Sequence, residues 1–172
     1  MWLDKLKEVN TIVLDVDGVL TDGSLICAPD GEIWRNMHAQ DGYALQAWLK
    51  SGGKMALITS GGRHGVLKKL EQFGVTLVYH DVRKKEEVLA EFVSDYKINL
   101  AQTLYMGDDI PDYKAMRLCG VSCCPANAAH EIKSMVDYIS PLKGGKGCVR
   151  DVIEKTLRMQ DKWFKPPGDL SI

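Results

Sequence analysis

The sequence has 172 residues, of which 45% are hydrophobic and 26% charged, and its net charge is −1. These values are typical of a globular protein, and the length suits one domain over residues 1–172. The net charge gives no electrostatic reason to expect nucleic acid or an anionic membrane as a partner. No apolar segment is long enough to span a bilayer, and the N-terminus has no signal-peptide core, so we expect a cytoplasmic protein.

The first predicted strand, Thr11–Leu14, is β-branched and apolar, as expected of a strand that is buried on both faces. It ends in a segment with two carboxylates, Asp15 and Asp17, followed by Gly18. Carboxylates at the end of a buried strand are costly unless a cation neutralises them, and Mg²⁺ takes oxygen ligands of this kind. The alternative is an ordinary surface turn, because Asp and Gly are common turn residues.

A hairpin is predicted at about residues 23–37, between the first strand and the first long helix. Two short apolar segments, 25–27 and 33–34, flank Ala28-Pro29-Asp30-Gly31, in which Pro presets φ and Gly accepts a positive φ. We call this hairpin the flap. It either covers the carboxylates or provides an edge for contacts between subunits.

The rest of the chain alternates between apolar strands and amphipathic helices. Gln40-Asp41 is predicted to cap a helix over 42–50, and the segment 163–172, with its Pro-Pro-Gly sequence, is predicted to be an extended or mobile tail. The other predicted helices are 63–73, 84–96, 111–118, 128–135 and 148–160, and the other strands are 54–58, 75–79, 103–106, 121–124 and 138–139. This alternation predicts a three-layer, Rossmann-like α/β fold with a mostly parallel sheet.

The five cysteines are odd in number and lack C-x-x-C spacing. This pattern predicts reduced, buried thiols instead of a zinc site or disulfides. They are Cys27, Cys119, Cys123, Cys124 and Cys148.

Polar side chains follow several of the predicted strands at the edge where such sheets bind ligands. Thr59 and Ser60 follow the second strand, Asp108 follows the fourth, and Lys85 begins the helix after the third. Together with the two carboxylates of the first strand, they supply the groups that phosphoryl transfer needs: a metal site, a cation and hydrogen-bond donors. Each alone has a plainer interpretation as a cap, a solvated charge or a helix start, and the combination favours the functional one.

The chemistry suggests a role for each group. Asp15 is the candidate nucleophile, and Asp17 the general acid and base. Asp108 and Asp15, with a backbone carbonyl near Asp17, would bind Mg²⁺. Thr59 would donate a hydrogen bond to a phosphoryl oxygen, and Lys85 would supply a fixed positive charge.

Four features resemble, in this order, the four motifs of the haloacid dehalogenase superfamily of phosphatases. They are the segment DVDGVLTD, the strand that ends in Thr59, the residue Lys85 and the segment GDDIPD. The resemblance covers nearly the whole chain, and a hairpin in place of a cap domain is similar to the capless group. Within that group, MHAQDG, CCPANA and GGKGCVRDV resemble phosphatases of an eight-carbon acid-sugar phosphate that serve lipopolysaccharide precursor synthesis. The resemblance implies a Mg²⁺-dependent homotetramer in which a neighbouring subunit helps to cover each site.

The resemblance also implies where the phosphorylated acid sugar binds. The expected contacts are Asp17, His38, Ala39, Gln40, Asp41, Gly42, Ser60, Arg63, Lys69 and Lys85. Many relatives have Gly-Arg directly after the threonine and a second arginine further along the helix. Here Arg63 is shifted, and Lys69 keeps the charge of the second arginine without its two-pronged donor geometry. A nine-carbon 3-deoxy-nonulosonate 9-phosphate is therefore an alternative substrate, and a non-catalytic regulatory tetramer or a phosphotransferase is an alternative function.

Overall fold

The computed structural model describes residues 2–62 and 65–164. Six parallel strands form the main sheet in the order β5-β4-β1-β6-β7-β8, and the flap forms a separate antiparallel pair, β2 and β3. The strands are β1 Thr11–Leu14, β2 Ile26–Cys27, β3 Ile33–Trp34, β4 Lys54–Ile58, β5 Val78–Tyr79, β6 Thr103–Met106, β7 Val121–Cys124 and β8 Tyr138–Ile139. The predicted α/β class, the parallel sheet and the inserted flap are confirmed.

The helices mostly lie where the apolar periodicity places them. They are α1 Trp2–Lys5, α2 Ala39–Lys50, α3 Gly65–Gln72, α4 Lys85–Tyr96, α5 Tyr113–Met116, α6 His130–Lys133 and α7 Cys148–Met159. The predicted helix 111–118 is a 3₁₀ turn, Ile110–Asp112, followed by the short α5. The short α1 was not predicted. No helix within the described ranges is both long enough and apolar enough to cross a membrane.

Two apolar clusters lie on opposite faces of the sheet and create the three layers. On one face, α2, α3 and α7 pack against the strands through buried residues such as Trp48, Leu70 and Ile153. On the other face, α4, α5 and α6 pack through residues such as Phe92 and Met116. Because both faces are covered, the central strands β1 and β6 are buried along their whole length.

The register of the central strands aligns their carboxyl ends. Leu14, the last residue of β1, pairs with Leu57 in β4 and with Met106 in β6. The residues that follow these strands therefore lie side by side at one edge of the sheet.

The predicted cap of α2 is wrong. The helix begins at Ala39 with His38 at the N-cap position, so Gln40 and Asp41 lie inside its first turn. The Asp41 carboxylate instead accepts hydrogen bonds from backbone N–H groups at the start of α7.

Two other predictions fall partly outside the described residues. The helix predicted over 63–73 is seen as α3 from Gly65, and Arg63 lies outside the described residues. The predicted tail 163–172 is described only at Trp163 and Phe164. Trp163 is 7% exposed and packs edge-on to Tyr43, so the tail is anchored where it begins.

Candidate active site

Three neighbouring strands bring the predicted site residues to one cavity. Asp15 directly follows β1, Thr59 and Ser60 follow β4, and Asp108 lies two residues after β6. The cavity has a volume of about 230 Å³, and its lining includes Asp15, Asp17, Thr59, Ser60, Lys85 and Asp108. The residues predicted for the reaction and for metal binding therefore share one pocket.

Gly18 allows the turn after β1 to approach the end of β6. Its φ is +87°, a conformation that residues with a Cβ atom rarely adopt. A Cβ atom at this position would overlap the carboxylate of Asp108. The turn is closed by Thr21, whose Oγ1 accepts a hydrogen bond from the Gly18 N–H at 3.2 Å. The glycine of the Asp-x-Asp-Gly pattern thus brings Asp108 next to the turn that carries Asp15 and Asp17.

Lys85 is a buried cation that bridges two carboxylates. It is the first residue of α4, and its side chain is 2% exposed. Its Nζ lies 2.8 Å from Asp15 Oδ1 and 2.7 Å from Asp112 Oδ1. Burial disfavours the charged lysine, but the two carboxylates outweigh burial and raise the pKa of Lys85. The plainer interpretation of Lys85 as a solvated charge is therefore wrong.

Asp15 lies in an environment that disfavours its ionised form. Burial raises the pKa of Asp15 well above its ordinary value, the charge of Asp112 raises it further, and Lys85 opposes both effects. The carboxylate also accepts a hydrogen bond from the backbone N–H of Val16 at 2.7 Å. Since a carboxylate nucleophile must be ionised, the site needs a further positive charge.

An acidic cluster at the base of the cavity fits a divalent cation. Oxygen atoms of Asp15, Asp108 and Asp112 lie within 4.8 Å of one another. Burial raises the pKa of Asp108 to about 7, and the charge of Asp112 contributes to the shift. Hard oxygen donors in a partly buried, acidic site are the ligands that Mg²⁺ takes in proteins. This donor set matches the metal that the sequence predicted.

Asp112 orients the other members of the cluster, a role that the sequence analysis did not assign. Its Oδ1 accepts hydrogen bonds from Lys85 at 2.7 Å and from the Tyr105 hydroxyl at 3.1 Å. Its Oδ2 accepts from the backbone N–H groups of Asp108 at 3.1 Å and Asp109 at 3.4 Å. These contacts occupy both oxygens of Asp112, so Asp15 and Asp108 are the better placed metal ligands. Its position in GDDIPD was visible in the sequence, but its partners were not.

Thr59 is 1% exposed and lies in the loop after β4. The backbone N–H of Gly61 donates a hydrogen bond to Thr59 Oγ1 at 3.1 Å. A hydroxyl accepts and donates at the same time, so the Thr59 hydrogen is left for an oxygen in the cavity.

Arg35 from the flap contacts the predicted acid and base, and sequence reasoning missed it. Its Nε lies 2.6 Å from Asp17 Oδ1, and its second terminal nitrogen lies 3.3 Å from Asp17 Oδ2. The carboxylate of Asp17 therefore faces the flap, whereas that of Asp108 faces Asp15 and Asp112. No local sequence signal marks this pair, because it forms only when the flap lies over the site.

The segment predicted to contact the sugar lies mostly away from the cavity. Asp41 is fully buried, and its carboxylate accepts hydrogen bonds from the N–H groups of Gly147 at 3.2 Å and Arg150 at 2.6 Å. Its contacts are thus structural ones at the start of α7. His38 Nδ1 is buried and has no hydrogen-bond partner among the described residues. Ala39 and Gln40 are exposed, and Gly42 is buried.

Lys69 faces a groove beside the cavity instead of the cavity itself. Its Nζ donates to Gln72 Oε1 at 3.2 Å and lies 5.1 Å from the centre of the Phe73 ring. The groove has a volume of about 370 Å³, and Lys69 lines it together with Trp34 and Arg35 of the flap.

Comparison with known proteins identifies relatives across most of the chain. Residues 67–150 match the model of a family described as haloacid dehalogenase-like hydrolases. The 3-deoxy-D-manno-octulosonate 8-phosphate phosphatase of Escherichia coli strain K12 is 30% identical over 95% of this chain and 87% of its own. The enzyme of the same name from Haemophilus influenzae is 29% identical over 92% of this chain and 88% of its own.

Solved structures give the same match in three dimensions. The 3-deoxy-D-manno-octulosonate 8-phosphate phosphatase of Moraxella catarrhalis superimposes with a TM-score of 0.90 at 32% identity, covering 93% of this chain and 92% of that one. That protein was solved in complex with a magnesium ion, a phosphate ion and a KDO molecule. The corresponding Yersinia pestis protein has a TM-score of 0.89 at 28% identity, over 93% of this chain and 86% of that one.

Proposed function

The chain belongs to the haloacid dehalogenase-like hydrolase family, and we propose that it hydrolyses 3-deoxy-D-manno-octulosonate 8-phosphate to the free sugar acid and phosphate. The family and its named relatives make the protein a phosphomonoesterase. The observation that carries the proposal is the arrangement of buried Asp15 and half-buried Asp108 at the carboxyl ends of the central strands, with the buried Lys85 ammonium beside Asp15. The relatives that bear the substrate's name align with nearly the whole chain, which supports this choice of ester and a role in lipopolysaccharide precursor synthesis.

The proposed reaction has two displacement steps at phosphorus. An oxygen of Asp15 attacks the phosphoryl group, the ester bond to the sugar breaks, and Asp17 gives its proton to the leaving oxygen. Asp17 then takes a proton from water, which attacks the aspartyl-phosphate and releases phosphate from Asp15. The Thr59 hydroxyl donates to a phosphoryl oxygen, and Lys85 keeps a positive charge beside the nucleophile.

Mg²⁺ is part of the proposal. Asp15 and Asp108, with the backbone carbonyl of Asp17, would hold the ion, while Asp112 keeps Asp108 in place through its backbone N–H. When bound, Mg²⁺ supplies positive charge that keeps Asp15 ionised and neutralises the phosphoryl oxygens. The raised pKa of Asp15 supports this need for a cation.

The proposed sugar contacts lie in the cavity and in the adjoining groove. Ser60 lines the cavity, and Lys69 lies in the adjoining groove, so both are proposed to face the acid sugar. Arg63 and the segment 38–42 remain proposed contacts. Because Lys69 lacks the fork of an arginine, the nine-carbon 3-deoxy-nonulosonate 9-phosphate stays as the second candidate substrate.

We also propose that the single domain assembles as a cytoplasmic homotetramer through its flaps. Four apolar side chains of the flap are between 43% and 57% exposed: Leu25, Ile26, Ile33 and Trp34. Exposed apolar clusters of this kind mark contact surfaces. Sedimentation analysis of the wild type and of Trp34→Asp tests the assembly. A tetramer that the substitution dissociates supports the proposal, and a wild-type monomer contradicts it.

Phosphate release from a panel of esters tests the function. The panel contains the eight-carbon and nine-carbon acid-sugar phosphates and simple hexose phosphates, each assayed with Mg²⁺ and with EDTA. We expect Mg²⁺-dependent release with strong preference for the eight-carbon ester. A preference for the nine-carbon ester would replace the substrate but keep the chemistry. The absence of release from every ester would contradict the function and favour a non-catalytic role.

A further inference from the structure

The flap reaches the reaction centre through one side chain, Arg35. The Arg35 side chain is 7% exposed, and its fork occupies both oxygens of Asp17, at 2.6 Å and 3.3 Å. Its remaining terminal nitrogen donates to the backbone carbonyl of Ile33 at 3.3 Å, within the flap itself. The guanidinium is thus fixed to the flap on one side and to Asp17 on the other.

The loop after β4 packs against the Arg35–Asp17 pair. A Cβ atom on Gly61 would lie 2.9 Å from Asp17 Oδ2 and 3.6 Å from the Arg35 guanidinium. Asp17 lines the phosphate-sized cavity, whereas Arg35 lines the groove between the flap and α3. The ion pair therefore lies at the boundary between the two spaces.

We propose that Arg35 is a positioning residue for proton transfer, through which the flap sets the orientation of the Asp17 carboxyl group. This inference rests on the proposed phosphatase reaction. When the ester bond breaks, a proton on one Asp17 oxygen passes to the alkoxide oxygen of the leaving group, and a water proton restores it in the second step. A protonated oxygen of Asp17 is a weaker acceptor than a carboxylate oxygen, so its contact with Arg35 weakens while the contact at the other oxygen keeps the carboxyl group in place.

Leaving-group dependence separates this role from a purely structural one. A primary alkyl phosphate needs a proton on its leaving oxygen, whereas p-nitrophenyl phosphate releases a stable phenolate that needs little assistance. The ratio kcat/KM reports the first irreversible step, in which the ester bond breaks. A variant that misplaces Asp17 must therefore lose more on the alkyl ester than on the aryl ester.

The experiment compares Arg35→Ala, Arg35→Lys and the control Arg117→Ala, which removes an exposed arginine from the end of α5. General acid catalysis is worth about 10²–10⁴ in rate, so Arg35→Ala is expected to lose at least about tenfold more kcat/KM on the alkyl ester than on p-nitrophenyl phosphate. Arg35→Lys keeps the charge without the fork and should fall between the wild type and Arg35→Ala. Equal losses on both esters would overturn the inference.

A double-mutant cycle tests whether Arg35 acts through Asp17. In an Asp17→Asn background, Arg35→Ala should cause little further loss, whereas additive losses would contradict the inference. Crystal structures of the wild type and of Arg35→Ala supply a readout that does not depend on turnover. An Asp17 side chain that adopts a different rotamer, or two rotamers, in Arg35→Ala supports the role, and an unchanged rotamer refutes it. Failure of the wild type to hydrolyse either ester would count against the proposed function instead.

Discussion

Replacing Lys85 by Met tests the electrostatic design of the site. Met has a similar volume but no charge. The carboxylates of Asp15 and Asp112 therefore lose the Lys85 ammonium, whose Nζ lies 2.8 Å and 2.7 Å from their Oδ1 atoms. The Lys85 side chain is only 2% exposed, so water does not replace the lost charge. Removing one partner of a buried ion pair typically costs about 3–5 kcal/mol. We take about 3 kcal/mol as the expected loss in the free energy of unfolding, because Asp15, whose pKa is raised by burial, relieves part of the charge repulsion by taking up a proton.

Thermal and urea unfolding in EDTA measure this loss. For a chain of this length, about 3 kcal/mol corresponds to a fall in Tm of roughly 6–12 °C. The loss should shrink as the pH falls from 7 toward 5, since the pKa of Asp15 is raised well above its ordinary value and its protonation removes the repulsion with Asp112. Adding Asp112→Asn to Lys85→Met should restore part of the stability, because it removes one of the unpaired charges.

Lys114→Met is the matched control. Lys114 pairs with Glu86 at 3.3 Å, but its side chain is 75% exposed, so its loss should cost less than about 0.5 kcal/mol. A loss for Lys85→Met as small as that of the control would refute the view that Lys85 is a buried bridge.

The remaining predictions concern the metal site, the pH dependence of stability and a helix cap. Burial raises the pKa of Asp108 to about 7, so Mg²⁺ must displace a proton below that pH, and calorimetry should show its affinity falling about fivefold from pH 7 to pH 6. In EDTA, the same raised pKa makes the fold less stable as the pH rises from about 4 toward 7. Gly18→Ala should weaken Mg²⁺ binding at least about tenfold in the same assay, since its Cβ atom displaces Asp108. Asp41→Ala should lower the urea unfolding free energy by about 2 kcal/mol, because the N–H groups of Gly147 and Arg150 at the start of α7 lose their acceptor.

Local sequence patterns were sufficient for the central part of the fold. The apolar run Thr11–Leu14 and the glycine after Asp17 predict a buried strand and a tight turn, and the structure has both. Because parallel strands end at a common edge, residues as far apart as Asp15, Thr59 and Asp108 were expected to meet, and they line one cavity.

Contacts between distant elements were beyond those patterns. In the sequence, Asp41 resembles a cap of its own helix. In the structure, its carboxylate accepts hydrogen bonds from backbone N–H groups at the start of α7, more than 100 residues later. Arg35 directly follows the short hairpin strand β3, and its partner Asp17 is 18 residues earlier. Both roles depend on how packed elements face each other, which helix and strand periodicity do not specify.

The central claim is that Asp15 is the nucleophile of a Mg²⁺-dependent phosphatase, and Asp15→Asn tests it most directly. The variant removes the charge of the attacking oxygen with almost no change in side-chain volume. Its control is Asp95→Asn, which changes an exposed carboxylate on α4. With Mg²⁺ and the eight-carbon acid-sugar phosphate, we expect wild-type rates from Asp95→Asn and no measurable phosphate release from folded Asp15→Asn. Release at the wild-type rate from purified Asp15→Asn would contradict the account.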